Sequence, residues 1–538
     1  MNRRAGVRLV HATAVVAVVA LFSLSAACTD SSRPGGALSS SSGGPVAGGT
    51  LRIGIEKPAT LDPALVSPGS QSELLMADLL FDGLTTIAPG AVTASPAVAK
   101  SWVASPDQKV WTFTLRDGAH FANGRPISAN DVKYSLQRVA KQGQTSVAAL
   151  RLEVVSGLTA YVSGAAAEIT GLKALDPHVL EIDLDSPLAV LPELLAAPEF
   201  GIVPQEAVEA AAPAFATAPV GSGPFAFAGQ TGDVVKLVRT AGGTAYLDAI
   251  EVHEYDKANL AASYDDFVAG KLDWSLVPNA RAEDAAQRFG PSAFRPFDAE
   301  LFYAFNLLDP TFADARFRQA IVKSVDRSAL VKAVYPAVAE PLGGIVPDGV
   351  AGHMADPCGS ACSYDPEGAK ALLAQAFPDG NIPTVNIDYF TGTGEDAVAG
   401  AIESSLAAVG IPTNKRPLPP DQYDQFAVSG QQGLFRLGTI GVYPSPDAYL
   451  APLFVSGSRD NATGFADAGV DQLIGMARAT ADPAARQNLY QQAEHAIMQL
   501  VPILPIAQFL TKAVVSPRVH DLVLGVDGTF AGERVWLG

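Results

Sequence analysis

The chain has 538 residues, 48% apolar and 17% charged, enough to build large cores and too apolar for wholesale disorder. Its 37 Lys plus Arg against 55 Asp plus Glu give a formal charge of −18, the wrong sign for a nucleic-acid binder that neutralises phosphates, and no basic patch offsets it. Three cysteines, at 28, 358 and 362, exclude a disulfide-rich scaffold and a four-cysteine zinc module.

The first elements are an address. Arg3, Arg4 and Arg8 precede an apolar run from Ala12 to Leu24, and Ser25-Ala26-Ala27-Cys28 follows. Basic, apolar and small-residue segments in that order define an export signal. The run is too short for a bilayer-spanning helix, which needs about 20 residues. The placement of Cys28 resembles a bacterial lipobox, although Ser25 stands where Leu is usual and Leu24 lies one step further out. The resemblance implies cleavage of residues 1–27 and lipid on the Cys28 sulfur; plain secretion, with Cys28 there by chance, is the alternative. Cleavage removes three Arg and no acid, so the mature charge is 34 minus 55, or −21. Thirteen of the twenty residues 29–48 are Ser, Gly or Pro, a flexible tether with a mean reach of roughly 25 Å. Residues 28–48 are therefore expected to hold a soluble body against the outer face of the cell membrane. No later segment reads as a span, since Pro502, Pro505 and Gln508 interrupt the apolar stretch 500–510.

In the body, strict alternation predicts strands over 50–56, 110–116, 178–184, 234–238 and 249–255, with a turn at Asp117-Gly118. Asn130-Asp131 caps a predicted helix through Val132, Leu136 and Val139. A buried strand is predicted over 301–308. A helix then runs from Asp314 with Phe317, Ile321 and Val325 at helical spacing, and further helices over 367–376, 397–409 and 484–500. Strands and helices interleave, which argues an α/β fold, and no fixed-period repeat is present. Two apolar segments, 301–308 and 503–515, have the character of crossings between two lobes.

Several stretches then add up: GGTLRIGI (48–55), TLDPA (60–64), LLFDGLT (79–85), the block 96–139, PVGSGPF (219–225), AFNLLDPTFADARFRQAIVKSVDR (304–327), YDPEGAKALL (364–373), YPSPDAYLAPLF (443–454) and RQNLYQQAEHAIMQLVPILPI (486–506). Together they resemble the extracellular solute-binding proteins of family 5, the dipeptide-, oligopeptide- and nickel-binding components of ABC importers, over nearly everything after residue 48. The resemblance implies the two-lobed periplasmic-binding-protein fold (class II, cluster C) with a hinge. Lobe I would hold 49–300 plus 505–538, and lobe II 301–504. It also implies a monomer that traps an oligopeptide between the lobes and presents it to separate permease and ATPase chains.

Such a protein needs an enclosed pocket with a few orienting polar groups. Aligned on Ser445-Pro446-Asp447, the Asp that pairs with the ligand ammonium in peptide binders falls on Val442, which cannot balance a charge. The Arg that takes the ligand carboxylate in dipeptide binders has no counterpart in Asp388-Tyr389-Phe390-Thr391. Asp447 or another carboxylate then takes the ammonium, or the ligand is a longer or modified peptide, an oligosaccharide, a metal chelate or another solute. Tyr443 and Ser445 are expected in the cleft by position; packing under the loop is the alternative for Tyr443, and helix capping for Asp447. Beside the first crossing, Tyr303 and Phe305 share one face and Asn306 the other, so one face lines the cleft or serves as hinge packing. Ser67, Ser70 and Gln71 lie in a loop that contacts ligand in relatives, and Trp274 is a cleft aromatic or a core residue.

Gly221-Ser222-Gly223-Pro224 reads as a structural turn, because the Lys of a phosphate loop is absent. Outside the cytoplasm, Cys358 and Cys362 are expected to form a disulfide. The seven histidines are scattered, with only His353 near the cysteines, so neither a metal nor a cofactor is expected. No His-Glu-x-x-His or Gly-x-Ser-x-Gly motif is present, and the chain is read as a binding protein rather than an enzyme. A family member that has left transport for an envelope interaction role is the remaining alternative.

Overall fold

Alternation built the first strand of the computed structural model, Thr50–Glu56, as predicted. The structure describes residues 44–67, 69–91, 93–143, 146–290, 294–392 and 394–538. The expected signal segment, Cys28 and most of the tether lie outside the described residues. Leu51, Ile53 and Ile55 are fully buried, as are Ile250 and Val252 on the adjacent parallel strand Ala249–Tyr255. Strands buried on both faces need helices on both sides, which is the logic of an α/β layer.

One long mixed sheet runs through the molecule, in the order 413–418, 385–390, 434–437, 294–305, 503–515, 274–276, 50–56, 249–255, 234–239 and 225–231. Both segments read as crossings are its central strands, Phe294–Phe305 and Ile503–Val515, and they pair antiparallel with each other. Phe294–Phe305 then meets Leu434–Leu437, while Ile503–Val515 meets Trp274–Leu276. The pairing of the two long strands breaks between Pro296 and Glu300. Within the break the Asp298 N–H donates to the Val526 carbonyl at 2.9 Å, and the Asp298 carbonyl accepts from the Gly441 N–H at 2.9 Å.

A second, four-stranded antiparallel sheet comprises 99–104, 110–115, 179–183 and 172–176. Its alternation is legible side chain by side chain: Trp111, Phe113 and Leu115 are buried, while Val110, Thr112 and Thr114 are more exposed. Helix Ala129–Ala140 packs on it. The N-cap lies two residues before the predicted one, at Ser128, with the Asp131 carboxylate accepting from the Ser128 N–H at 2.9 Å. The helix predicted from Asp314 is two helices, Ala315–Ser324 and Arg327–Val334. Asp326 breaks it by capping the second, accepting from the Ala329 N–H at 2.9 Å. Cys358 and Cys362 are joined by a disulfide. Among the described residues no helix is long and apolar enough to cross a membrane, and no group of three or more His, Cys, Asp or Glu is placed to hold a metal.

Candidate ligand-binding cavity

A cavity of about 520 Å³ opens where distant parts of the chain converge. Asp78 comes from the helix Gln71–Leu80, whose Leu74, Leu75 and Leu79 anchor it in the core, and Asp82 follows that helix. Arg116 stands just past the strand Val110–Leu115. The turn Ser222-Gly223-Pro224 forms part of the wall. Its glycines serve close approach: a Cβ on Gly221 would come 1.9 Å from the Leu80 carbonyl, and the Gly223 N–H donates to that carbonyl at 2.9 Å. Asp298 on the crossing strand, Gly349, the segment Val442-Tyr443-Pro444, and Asp527 and Glu533 near the C-terminus complete the lining.

The cavity is acidic. Arg116 is spent on Asp82, Nη2 to Oδ2 at 2.9 Å, Glu193 on Arg486 at 3.4 Å, and Asp117 on Lys100 at 3.3 Å. Asp78, Asp298, Asp527 and Glu533 have no cation partner among the described residues. Burial, reinforced by the neighbouring Asp527, Glu533 and Asp82, pushes the Asp78 carboxyl well above its usual range. Burial likewise raises Asp298, with Asp527 and Glu199 adding repulsion. At Asp82 burial outweighs the attraction of Arg116 and lifts the carboxyl to about 6. Such a site favours a ligand that brings positive charge.

Of the residues singled out in the sequence, Val442 and Tyr443 line this cavity. The Tyr443 hydroxyl, however, donates to Asp447 Oδ2 at 2.8 Å. Asp447 is fully buried and wholly committed: Arg478 Nε and Nη2 donate to it at 2.7 and 2.9 Å, and the Tyr490 hydroxyl at 2.7 Å. Despite its burial, Arg478 holds its carboxyl below the usual range. Asp447 is therefore not free to meet an ammonium. Ser445 accepts from the Asp447 N–H at 3.4 Å and does not line the cavity.

The remaining candidates lie elsewhere. Trp274 is fully buried and packs edge-on against Phe530 at 5.5 Å. Tyr303 is fully buried. Asn306 donates to the Gly430 and Gln432 carbonyls at 3.2 and 2.9 Å, closing the loop beyond the crossing. The Ser67 N–H donates to Glu73 at 2.6 Å, Ser70 caps the helix Gln71–Leu80, and Gln71 donates to Thr511 at 2.7 Å. Asp78, Asp298, Asp527 and Glu533 escaped the sequence reading. Only Asp298 left a signal there, as an acid inside the otherwise apolar run FRPFDAELFYAF.

The family model described as bacterial extracellular solute-binding proteins, family 5, matches residues 93–461. Di/tripeptide-binding protein 1 of Pseudomonas aeruginosa is 26% identical over 89% of this chain and 93% of its own length. The periplasmic murein peptide-binding protein MppA of Escherichia coli is 27% identical over 86% of this chain and 88% of its own. The unliganded open form of MppA superposes with a TM-score of 0.79 at 24% identity, covering 92% of this chain and 98% of that one, which shows the two-lobed periplasmic-binding-protein fold.

Proposed function

Because this chain belongs to family 5 of the bacterial extracellular solute-binding proteins, a family of binding proteins rather than enzymes, we propose that it is the peptide-capturing subunit of an ABC importer. It closes two lobes, 49–300 plus 505–538 and 301–504, on its ligand and delivers it to separate permease and ATPase chains. The observation that carries this reading is the acidic cavity, with lining from both of those stretches and four carboxylates without a cation of their own. A peptide amino terminus is a compact ammonium with three donors, the group such a lining lacks. The relatives named above carry peptide-binding names, which supports the same ligand class.

A second reading, a non-peptide amine, is favoured by Val442 in the cavity lining, at the position where the family resemblance implies a carboxylate in peptide binders. Native mass spectrometry of the protein purified without unfolding, with fragmentation of what is released, separates the two. A ladder of short peptide masses is expected. A single non-peptide mass overturns the peptide assignment and leaves the solute-binding role.

A further inference from the structure

Asp298 differs from the other acids of the cavity in how it is held. Its residue is only 3% exposed, yet it lines the cavity, and its Oδ1 has no hydrogen-bond partner among the described residues. Its backbone is clamped on both sides, by Val526 and by Gly441. Gly441 directly precedes Val442, and the neighbouring Ala299 bridges to Ile440. The crossing strand thus lays Asp298 alongside the segment in which peptide binders carry their ammonium-pairing carboxylate and this chain carries valine. A buried carboxylate with one oxygen unsatisfied is costly unless a partner arrives. Asp527 also lines the cavity, oriented by Thr529, whose N–H and hydroxyl both donate to it at 3.0 Å. Asp78 and Glu533 are further acidic side chains of the same lining. Arg116, the guanidinium in the lining, is already neutralised by Asp82.

We propose that Asp298 anchors a cation subsite in this cavity, its free Oδ1 accepting from a primary ammonium of the ligand while Asp527 and Glu533 supply the surrounding negative potential. The carboxylate function has moved from position 442 to the adjoining strand. The inference rests on the ligand-capture reading above but not on the ligand being a peptide: the subsite selects the amine, whatever carries it.

The test uses the full chain stripped of co-purified ligand and refolded, with occupancy read by native mass spectrometry. Three probes are offered: a mixture of di-, tri- and tetrapeptides, the same mixture N-acetylated, and 1,5-diaminopentane. Peptides or the diamine should bind, the acetylated mixture should not, and Asp298→Asn should weaken binding at least about tenfold, as expected for loss of a charge-assisted hydrogen bond in a buried site. Val442→Asp added to Asp298→Asn should recover most of that loss, a rescue that a merely structural role for Asp298 would not give. If Asp298→Asn does not fold, Asp527→Asn is measured instead, with a smaller loss of at least about threefold expected from its share of the potential. Diamine binding without peptide binding overturns the peptide reading and keeps the subsite. Peptide binding that survives both acetylation and Asp298→Asn overturns the subsite and keeps the peptide reading. Binding of no amine probe overturns the subsite.

Discussion

Asp447 and Asp298 are both buried acids, and their surroundings give them opposite roles. Asp447 is paired with one guanidinium, that of Arg478, and accepts four hydrogen bonds, two from it and two from tyrosine hydroxyls. Truncating it strands Arg478 and leaves the Tyr443 and Tyr490 hydroxyls without an acceptor. Breaking a buried pair from one side costs about 3–5 kcal/mol, more than the pair itself contributes. Asp447→Ala is therefore expected to lower unfolding stability by about 3 kcal/mol or more in urea. A loss under about 1 kcal/mol would mean that the network relaxes around solvent instead.

At the scale of elements, side-chain caps decide where helices begin and how they dock. Asp326 cuts one predicted helix into two, and Ser128 with Asp131 moves another start. Glu494, on the helix Pro483–Gln499, works over a longer distance. Its Oε1 accepts from the Ile345 and Val346 N–H groups at 2.7 and 3.0 Å, tying the helix to a loop 148 residues away in sequence. Gly344 is required beside it, since a Cβ there would come 2.5 Å from that oxygen. Burial lifts the Glu494 carboxyl from 4.5 to about 7, against the pull of those two N–H groups. Glu494 in turn adds its repulsion to the burial that raises the Glu300 carboxyl. The sign follows: below pH 4.5 Glu494 is protonated folded and unfolded, and contributes no pH dependence. Between 4.5 and about 7 the unfolded chain loses its proton first, so stability falls as pH rises. The full effect is about 3 kcal/mol. Glu494→Gln keeps an acceptor oxygen for the loop and removes this slope. Urea unfolding at pH 5 and pH 8 should show the variant gaining on the wild type by about 3 kcal/mol across that interval. Parallel pH profiles would contradict the assignment.

At the scale of the molecule, a single sheet passes through both proposed lobes, and the two long strands at its middle are the segments proposed as crossings. Hinge motion between lobes would bend the sheet where their ladder is interrupted, between Pro296 and Glu300, beside Asp298. Ligand contact and lobe movement would then meet at one residue. The expected tether and lipid anchor on Cys28 would set where this happens in the cell. Cys28→Ala should release the protein from the membrane fraction into the medium, measured by fractionation and immunoblot; retention of the variant with the bilayer would exclude the lipid anchor. A diacylated cysteine gives stable attachment where one chain gives only marginal binding, so release should be nearly complete.

What the sequence determined by itself is the part governed by local periodicity and by chain-length motifs. Strands 50–56 and 249–255 were legible to the residue because their alternation matches their burial. That 301–308 and 503–515 enter buried strands was legible because apolar runs of that length favour a buried sheet, although 301–308 marks only the end of a strand that begins at Phe294. The turn at Gly221–Pro224 was legible from its glycines. The cavity was not. Asp447 and Asp298 each stand as an acid in an apolar stretch, and nothing local tells them apart. Only the tertiary structure brings Arg478, 31 residues on, against Asp447, and brings no cation to Asp298. A charge pairs through space, and the partners that decide whether a buried acid is a strut or a ligand contact come from parts of the chain that periodicity does not connect.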